Sequence, residues 1–245
     1  MMAQWHIDIN DSPVQTLMHQ DETLAKLIRQ IGNVEITLRA NLLKSLIRSI
    51  IGQQITNTAA SAIFQRFSEA IHNQWTVASV VNLSEAQMKH IGLSKTKINY
   101  IQNLLAHIEQ NKLDFTHLHE LDDESVKQVL TQVKGIGRWT SEIFLIFTLK
   151  RDNILPIFDV GLQRAAQWLY QTSKAERKKQ LTLCAQRWHP YASYGAFYLW
   201  EAIHQNLLNY DSIDSLLDES SSEYVELNIL IITQIILYYA TLSLR

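Results

Sequence analysis

The segment best equipped for chemistry is Leu130–Thr140, with Lys134, Gly135, Ile136, Gly137 and Arg138 at its centre. Glycines on either side of a single residue permit a tight turn that residues with a Cβ resist. Ile136, between them, is placed to point back and lock two flanking helices together. The helix that follows opens with free backbone N–H groups, which suit an anion such as a phosphate. Lys134 and Arg138 add positive charge. The same pattern also describes an ordinary helix–turn–helix corner. Asp159 stands 20 residues after Trp139, ahead of Val160, Gly161 and Leu162. Taken alone, an aspartate there is a helix N-cap. Trp139 and Trp200 offer aromatic faces that attract a cation by about 0.5–2 kcal/mol each, although six tryptophans in a helical protein need no ligand. The nine histidines are scattered. His117 and His119 lie two apart and His189 stands alone, so none has metal-ligand spacing.

These residues must be positioned by helices. Leu42, Leu43, Leu46, Ile47, Ile50 and Ile51 form one apolar stripe, and Ile98, Ile101, Leu104, Leu105 and Ile108 another. Val126, Val129, Leu130 and Val133 repeat at helical spacing up to the glycines. Ser84 with Gln87 forms a capping box, and Asp122, Asp123 and Glu124 open the next helix at its positive end. Only 7 glycines and 3 prolines in 245 residues argue against many strands and tight turns. The fold class expected is all-α. The length fits one or two domains and a core that needs no staples. Cys184 is the only cysteine, which excludes a disulfide framework, a four-cysteine zinc site and a cysteine-ligated iron–sulfur cluster, and fits a reducing compartment.

The formal net charge of −2 hides an asymmetry. Residues 211–245 carry six acids against Arg245 alone, which leaves residues 1–210 net positive by three. Local basic placement, rather than whole-chain charge, decides affinity for phosphates. The amino terminus has no basic start followed by an apolar run, so no targeting signal is expected. Residues 211–224, rich in Ser and Asp, are the expected linker. The stretch Leu227–Leu244 lacks charge but is broken by Asn228, Thr233, Gln234, Thr241 and Ser243. It is read as a segment packed on the body or a partner, with a tail anchor the lesser alternative.

The hairpin with Trp139 and the Asp159 region resembles the helix-hairpin-helix DNA glycosylase superfamily, whose catalytic aspartate lies in its GPD region. Three more blocks agree. Leu46–Thr56 is similar to the family helix ending in Gly-Gln-Gln, Gly92–Lys97 matches a family turn, and Trp188–Trp200 resembles the carboxy-terminal helix. The likeness spans roughly residues 20–205 and is strongest to the alkylation-repair branch, the 3-methyladenine glycosylases.

The resemblance implies a two-lobed helical fold without an N-terminal β-domain. One lobe is expected from residues 1–40 plus 139–210 and the other from 41–138, with a DNA cleft between them. It implies a base-excision-repair enzyme that flips a damaged base out of double-stranded DNA and hydrolyses its N-glycosidic bond. Asp159 would stabilise the positive charge on the sugar. Lys134 to Thr140, including Gly135, Ile136, Gly137 and Arg138, would grip phosphates. A structural Na+ or K+ would sit on the carbonyls of Thr131, Val133 and Ile136. Gln54, with Gln53 beside it, would wedge into the vacated stack. Trp139 and Trp200 would line the base pocket, with Tyr194 at its edge or in the core. Bifunctional relatives carry a Schiff-base lysine where this chain has Trp139, so the enzyme is expected to be monofunctional and to leave an abasic site. No small-molecule cofactor is implied. The protein is expected to be a cytoplasmic, DNA-associated monomer. Two departures stand out: Lys134 replaces a proline common before Gly-Ile-Gly, and Ile143 lies where some members place a pocket tyrosine. Two other functions remain open at this point. One is a same-fold glycosylase for uracil, oxidised or mismatched bases, and the other a non-catalytic module that senses damaged DNA.

Overall fold

The computed structural model describes residues 4–218. A series of α-helices carries the fold among them, and residues 213–218 add a further helical stretch. After a short strand β1 (Gln4–Ile7) come α1 (Ser12–Gln20), α2 (Glu22–Ile31) and strand β2 (Val34–Thr37). Then follow α3 (Leu42–Gly52), α4 (Asn57–Ala70), α5 (Val77–Val81), α6 (Glu85–Ile91), α7 (Lys95–Glu109) and α8 (Asp123–Thr131). The series ends with α9 (Arg138–Phe147), α10 (Val160–Tyr170), α11 (Arg177–Arg187) and α12 (Ala192–His204). The expected all-α class holds, with one addition. β1 and β2 pair antiparallel as a two-stranded ribbon, Gln4 opposite Thr37 and Ile7 opposite Val34. Trp5, Ile7 and Val34 bury one face of it.

The sequence signals at helix ends are realised as hydrogen bonds. Ser84 and Gln87 complete both halves of the capping box at α6, and Asp122 caps α8 through the Ser125 N–H. The stripes of α3 and α7 are buried, and Leu46, Ile47, Ile50, Ile98, Ile101 and Leu104 are fully enclosed.

The first 40 residues fold onto the chain that follows the hairpin. Trp5 packs edge-on against Tyr194 and Phe197, each at 5.2 Å between ring centroids. The Tyr198 hydroxyl donates to the Gly32 carbonyl at 3.2 Å. The strongest tie is Asp21, the buried N-cap of α2. Its Oδ2 accepts from the Tyr170 hydroxyl (2.6 Å), the Trp188 indole (3.0 Å) and Arg187 (3.1 Å), while Oδ1 accepts from the Leu24 N–H (3.0 Å). Burial alone would raise the carboxyl's pKa, but the donors from Tyr170, Leu24 and Trp188 and the charge of Arg187 outweigh it and hold it below the ordinary value. A group depressed in the folded state stabilises the fold above the unfolded pKa of about 4 and loses that contribution as pH falls through the folded value. Asp21→Ala is therefore expected to cost about 2–3 kcal/mol near neutral pH, because it strands the buried Trp188 and Tyr170 donors, whereas the half-exposed Arg187 keeps its water. Urea melts of both proteins should show the gap closing as pH drops below about 4; a gap independent of pH would refute this role.

Residues 211–218 are not the linker the composition suggested. Ile213 and Leu216 are buried, Asp214 pairs with Lys26 at 2.6 Å, and the carbonyl of Tyr210 accepts the Trp168 indole N–H at 2.8 Å. Apolar residues between the Ser and Asp residues give this stretch a face to bury. The apolar stretch 227–244 lies outside the described residues. Among the described residues no helix is long and apolar enough to cross a membrane.

Candidate active site

The hairpin forms as its glycines require, but the two do different jobs. Gly135 has a φ of +105°, a conformation that L side chains rarely adopt. A Cβ there would also stand 2.2 Å from Cγ of Tyr100 on α7. Gly137 is the N-cap of α9 with extended backbone, and nothing lies within 4 Å of where its Cβ would be. The chain is therefore uncrowded beside Gly137, where the first amides of α9 begin and where anion binding needs room. Ile136 is 3% exposed, and its N–H donates to the Val133 carbonyl at 2.9 Å.

Helices α3 and α7 support the hairpin. The Gln53 side chain donates to the Gly135 carbonyl at 2.8 Å and to the Thr140 hydroxyl at 3.3 Å. This corrects two expectations. Gln53 is held by the hairpin and is no wedge, and the Thr140 side chain is buried against Gln53 instead of facing a phosphate. Gln54 is exposed and has a φ of +57°, a strained backbone for a residue with a Cβ. Lys97, from the Gly92–Lys97 turn, donates to the Ile51 carbonyl at 2.7 Å and so closes the last turn of α3 just before the glutamines.

Of the hairpin cations, Lys134 is exposed, whereas Arg138 is already engaged. Its Nε meets Glu142 at 2.8 Å, a carboxyl that is only 2% exposed. Burial pushes the Glu142 pKa up against the pull of Arg138, and its Oε2 has no hydrogen-bond partner.

Asp159 is the N-cap of α10, and both its oxygens are committed. Oδ1 accepts from the Leu162 N–H at 2.9 Å, and Oδ2 accepts from the Trp139 indole N–H at 2.8 Å. The 20-residue spacing therefore brings the aspartate and the tryptophan into direct contact. That contact fixes both rotamers of a partly exposed carboxylate. A Cβ on Gly161 would lie 3.0 Å from Asp159 Oδ1 and 3.3 Å from Ile203 of α12, so this glycine lets the carboxylate sit close against α12. Phe158 and Val160, on either side of Asp159, are exposed apolar residues, 46% and 64%. Lys178 lies over the Phe158 ring at 4.2 Å.

Trp200 is half-buried on α12 and packs against Phe147 (5.5 Å) and Phe197 (6.1 Å). Tyr194 belongs elsewhere. It is 7% exposed and lies among Trp5 and Tyr191, so it is a core residue, not a pocket wall. Ile143 is buried, 5% exposed.

Residues 47–190, which include the hairpin and Asp159, match the family model of the HhH-GPD superfamily of base excision DNA repair proteins. The chain belongs to that superfamily. It is 35% identical to the crystal structure of a DNA-3-methyladenine glycosidase from Bacillus halodurans, with a TM-score of 0.78 over 87% of this chain and 99% of that one. It is 28% identical to a 3-methyladenine DNA glycosylase of Schizosaccharomyces pombe solved with abasic DNA, with a TM-score of 0.70 over 77% and 96% of the two chains. DNA-3-methyladenine glycosylase 1 of Schizosaccharomyces pombe is 30% identical over 191 residues, which is 74% of this chain and 82% of that protein.

Trp139→Phe isolates the indole N–H. It keeps an aromatic ring but removes the donor to Asp159 Oδ2. We expect kcat for base release to fall about tenfold with little change in KM, since one hydrogen bond to a charged group contributes about 1.5–3 kcal/mol. Equal kcat in single-turnover assays would show that the bond does not position Asp159.

Proposed function

We propose that this protein is a monofunctional DNA glycosylase that hydrolyses the N-glycosidic bond of alkylated purines in double-stranded DNA and leaves an abasic site. The single observation that carries this reading is Asp159 fixed by Leu162 and Trp139, within a fold shared with 3-methyladenine glycosylases. Residues 1–40 with 139–210 form one lobe and 41–138 the other. The cleft between them takes DNA, and one copy of the chain suffices. The open amides of α9, with Lys134, hold a backbone phosphate. The strained, exposed Gln54 fills the gap left by the flipped base.

Chemistry then proceeds at the sugar. The C1′–N bond breaks and its electron pair leaves with the base. Positive charge develops on the sugar and is stabilised by the Asp159 carboxylate, which also orients the attacking water. Water adds to C1′, and its proton passes to solvent when a cationic base departs neutral, or to the departing base when that base was neutral. Trp139 stands where a lyase would need its amine, so no Schiff base forms and the strand stays whole. Trp139 and Trp200 supply the aromatic faces for the base. At the hairpin, just past the end of α8 at Thr131, the carbonyls of Thr131, Val133 and Ile136 would hold a Na+ or K+, the Val133 oxygen sharing it with the Ile136 N–H. Such an ion would neutralise that negative helix end beside a phosphate.

The test is release of free base from methylated duplex DNA by the purified protein. Free 3-methyladenine should appear and should inhibit, whereas free uracil should not. Inhibition by uracil alone would shift the substrate class to that base.

A further inference from the structure

Five large hydrophobic residues are exposed among the described residues, and two of them, Phe158 and Val160, stand directly before and after Asp159. Exposed apolar side chains on both sides of a functional carboxylate suit a surface that something covers. Phe158 is joined there by a cation from another element. Lys178, in the first turn of α11, is exposed and holds its ammonium 4.2 Å from the Phe158 ring centre. No carboxylate pairs with that ammonium among the described residues.

The charge around Lys178 is of one sign. Arg177, Lys178 and Lys179 open α11 at the positive end of its dipole, and no acid lies in that turn to offset them. Glu176, just ahead, is already engaged by the Ser173 hydroxyl, which donates to it at 2.7 Å. From residue 160 to residue 200 the chain carries six Lys and Arg against Glu176 alone. Such a surface repels itself within the fold and attracts an anionic partner.

We infer that Phe158 and Lys178 form a clamp on the damaged strand, with Lys178 binding a phosphate next to the lesion and Phe158 packed against the sugar. The inference rests on the glycosylase reading and adds a second grip to that of the hairpin. Asp159 can act only when C1′ of the damaged nucleotide lies beside it. That sugar brings C–H faces and a phosphate on either side. An apolar ring one residue from the carboxylate, with an unpaired ammonium over it, matches both. The ring also holds the ammonium in place before DNA arrives. The two residues bind and position the strand and take no part in breaking the bond.

The test uses duplexes with a stable tetrahydrofuran abasic analogue at the lesion position. Each phosphate flanking that position is replaced in turn by a neutral methylphosphonate. Binding is measured for wild type, Lys178→Met and Phe158→Ala. Both side chains are exposed, so the variants should melt like wild type. Wild type should lose about fivefold in affinity at one flanking position. Lys178→Met should bind the unmodified duplex about fivefold more weakly and lose nothing further at that position. Its slope of log affinity against log salt should be shallower by about 0.9, the value for one phosphate contact. Phe158→Ala should weaken binding about threefold and shrink the methylphosphonate effect, because the ammonium loses its seat. The same methylphosphonate losses in wild type and Lys178→Met, or an unchanged salt slope, would overturn the inference. Release of no base by wild type from any alkylated duplex would remove the glycosylase reading, and the binding data would still decide whether the strand rests on Phe158 and Lys178.

Discussion

Asp159→Asn is expected to abolish base release, by about 10²–10⁴-fold, while leaving the fold and DNA affinity nearly intact. The fold should survive because asparagine is as good a helix N-cap as aspartate. The chemistry should not, for two reasons. The variant removes the negative charge that faces the developing sugar cation. It also leaves one carbonyl oxygen to serve two donors, since the Leu162 N–H and the Trp139 indole each hold a separate carboxylate oxygen. The amide NH2 must then face one of those N–H groups, which disturbs Trp139 as well. The stability cost should stay near 1 kcal/mol, in line with one lost hydrogen bond. A thermal melt checks the first claim and single-turnover release the second.

Gly135→Ala is expected to have the next largest effect, on DNA binding and stability together. The φ of +105° alone costs an L residue about 1–3 kcal/mol. The new methyl would also run into the Tyr100 ring, which is packed on the turn from α7. Relief of that clash would move the hairpin away from Gln53, whose side chain holds the Gly135 carbonyl. We expect affinity for duplex DNA to fall at least tenfold. Adding Tyr100→Ala should recover part of the loss but not all, because it removes the clash and keeps the unfavourable φ. Full recovery would mean that the backbone conformation contributes nothing, and no recovery that Tyr100 does not seat the turn.

Much of this site could be read from the chain. The Gly-Ile-Gly turn, the cap at Asp159 and the helical stripes all follow from local spacing, where a few residues decide the geometry. What escaped reading depends on contacts between distant segments. Asp21 has the sequence context of a routine N-cap, yet its second oxygen gathers Tyr170, Arg187 and Trp188 from 149 to 167 residues away. Gln53 and Gln54 are neighbours of one type, but α3 ends at Gly52 and the backbone turns to a φ of +57° at Gln54, so Gln53 reaches the hairpin and Gln54 is exposed. For Tyr194 the sequence left pocket edge and core both open, and contact with Trp5 of the β-ribbon, whose four-residue strands are too short to show a period, decides for the core.

The most direct test of the central claim is strand integrity after reaction. A labelled duplex with one alkylated purine is treated with wild-type protein or with Asp159→Asn, and each product is examined before and after alkali. Intact strands are expected from both proteins before alkali, and a break at the lesion after alkali only with wild type. Strand breaks from wild type without alkali would contradict the monofunctional mechanism. An alkali-labile site formed equally well by Asp159→Asn would contradict the role of the carboxylate.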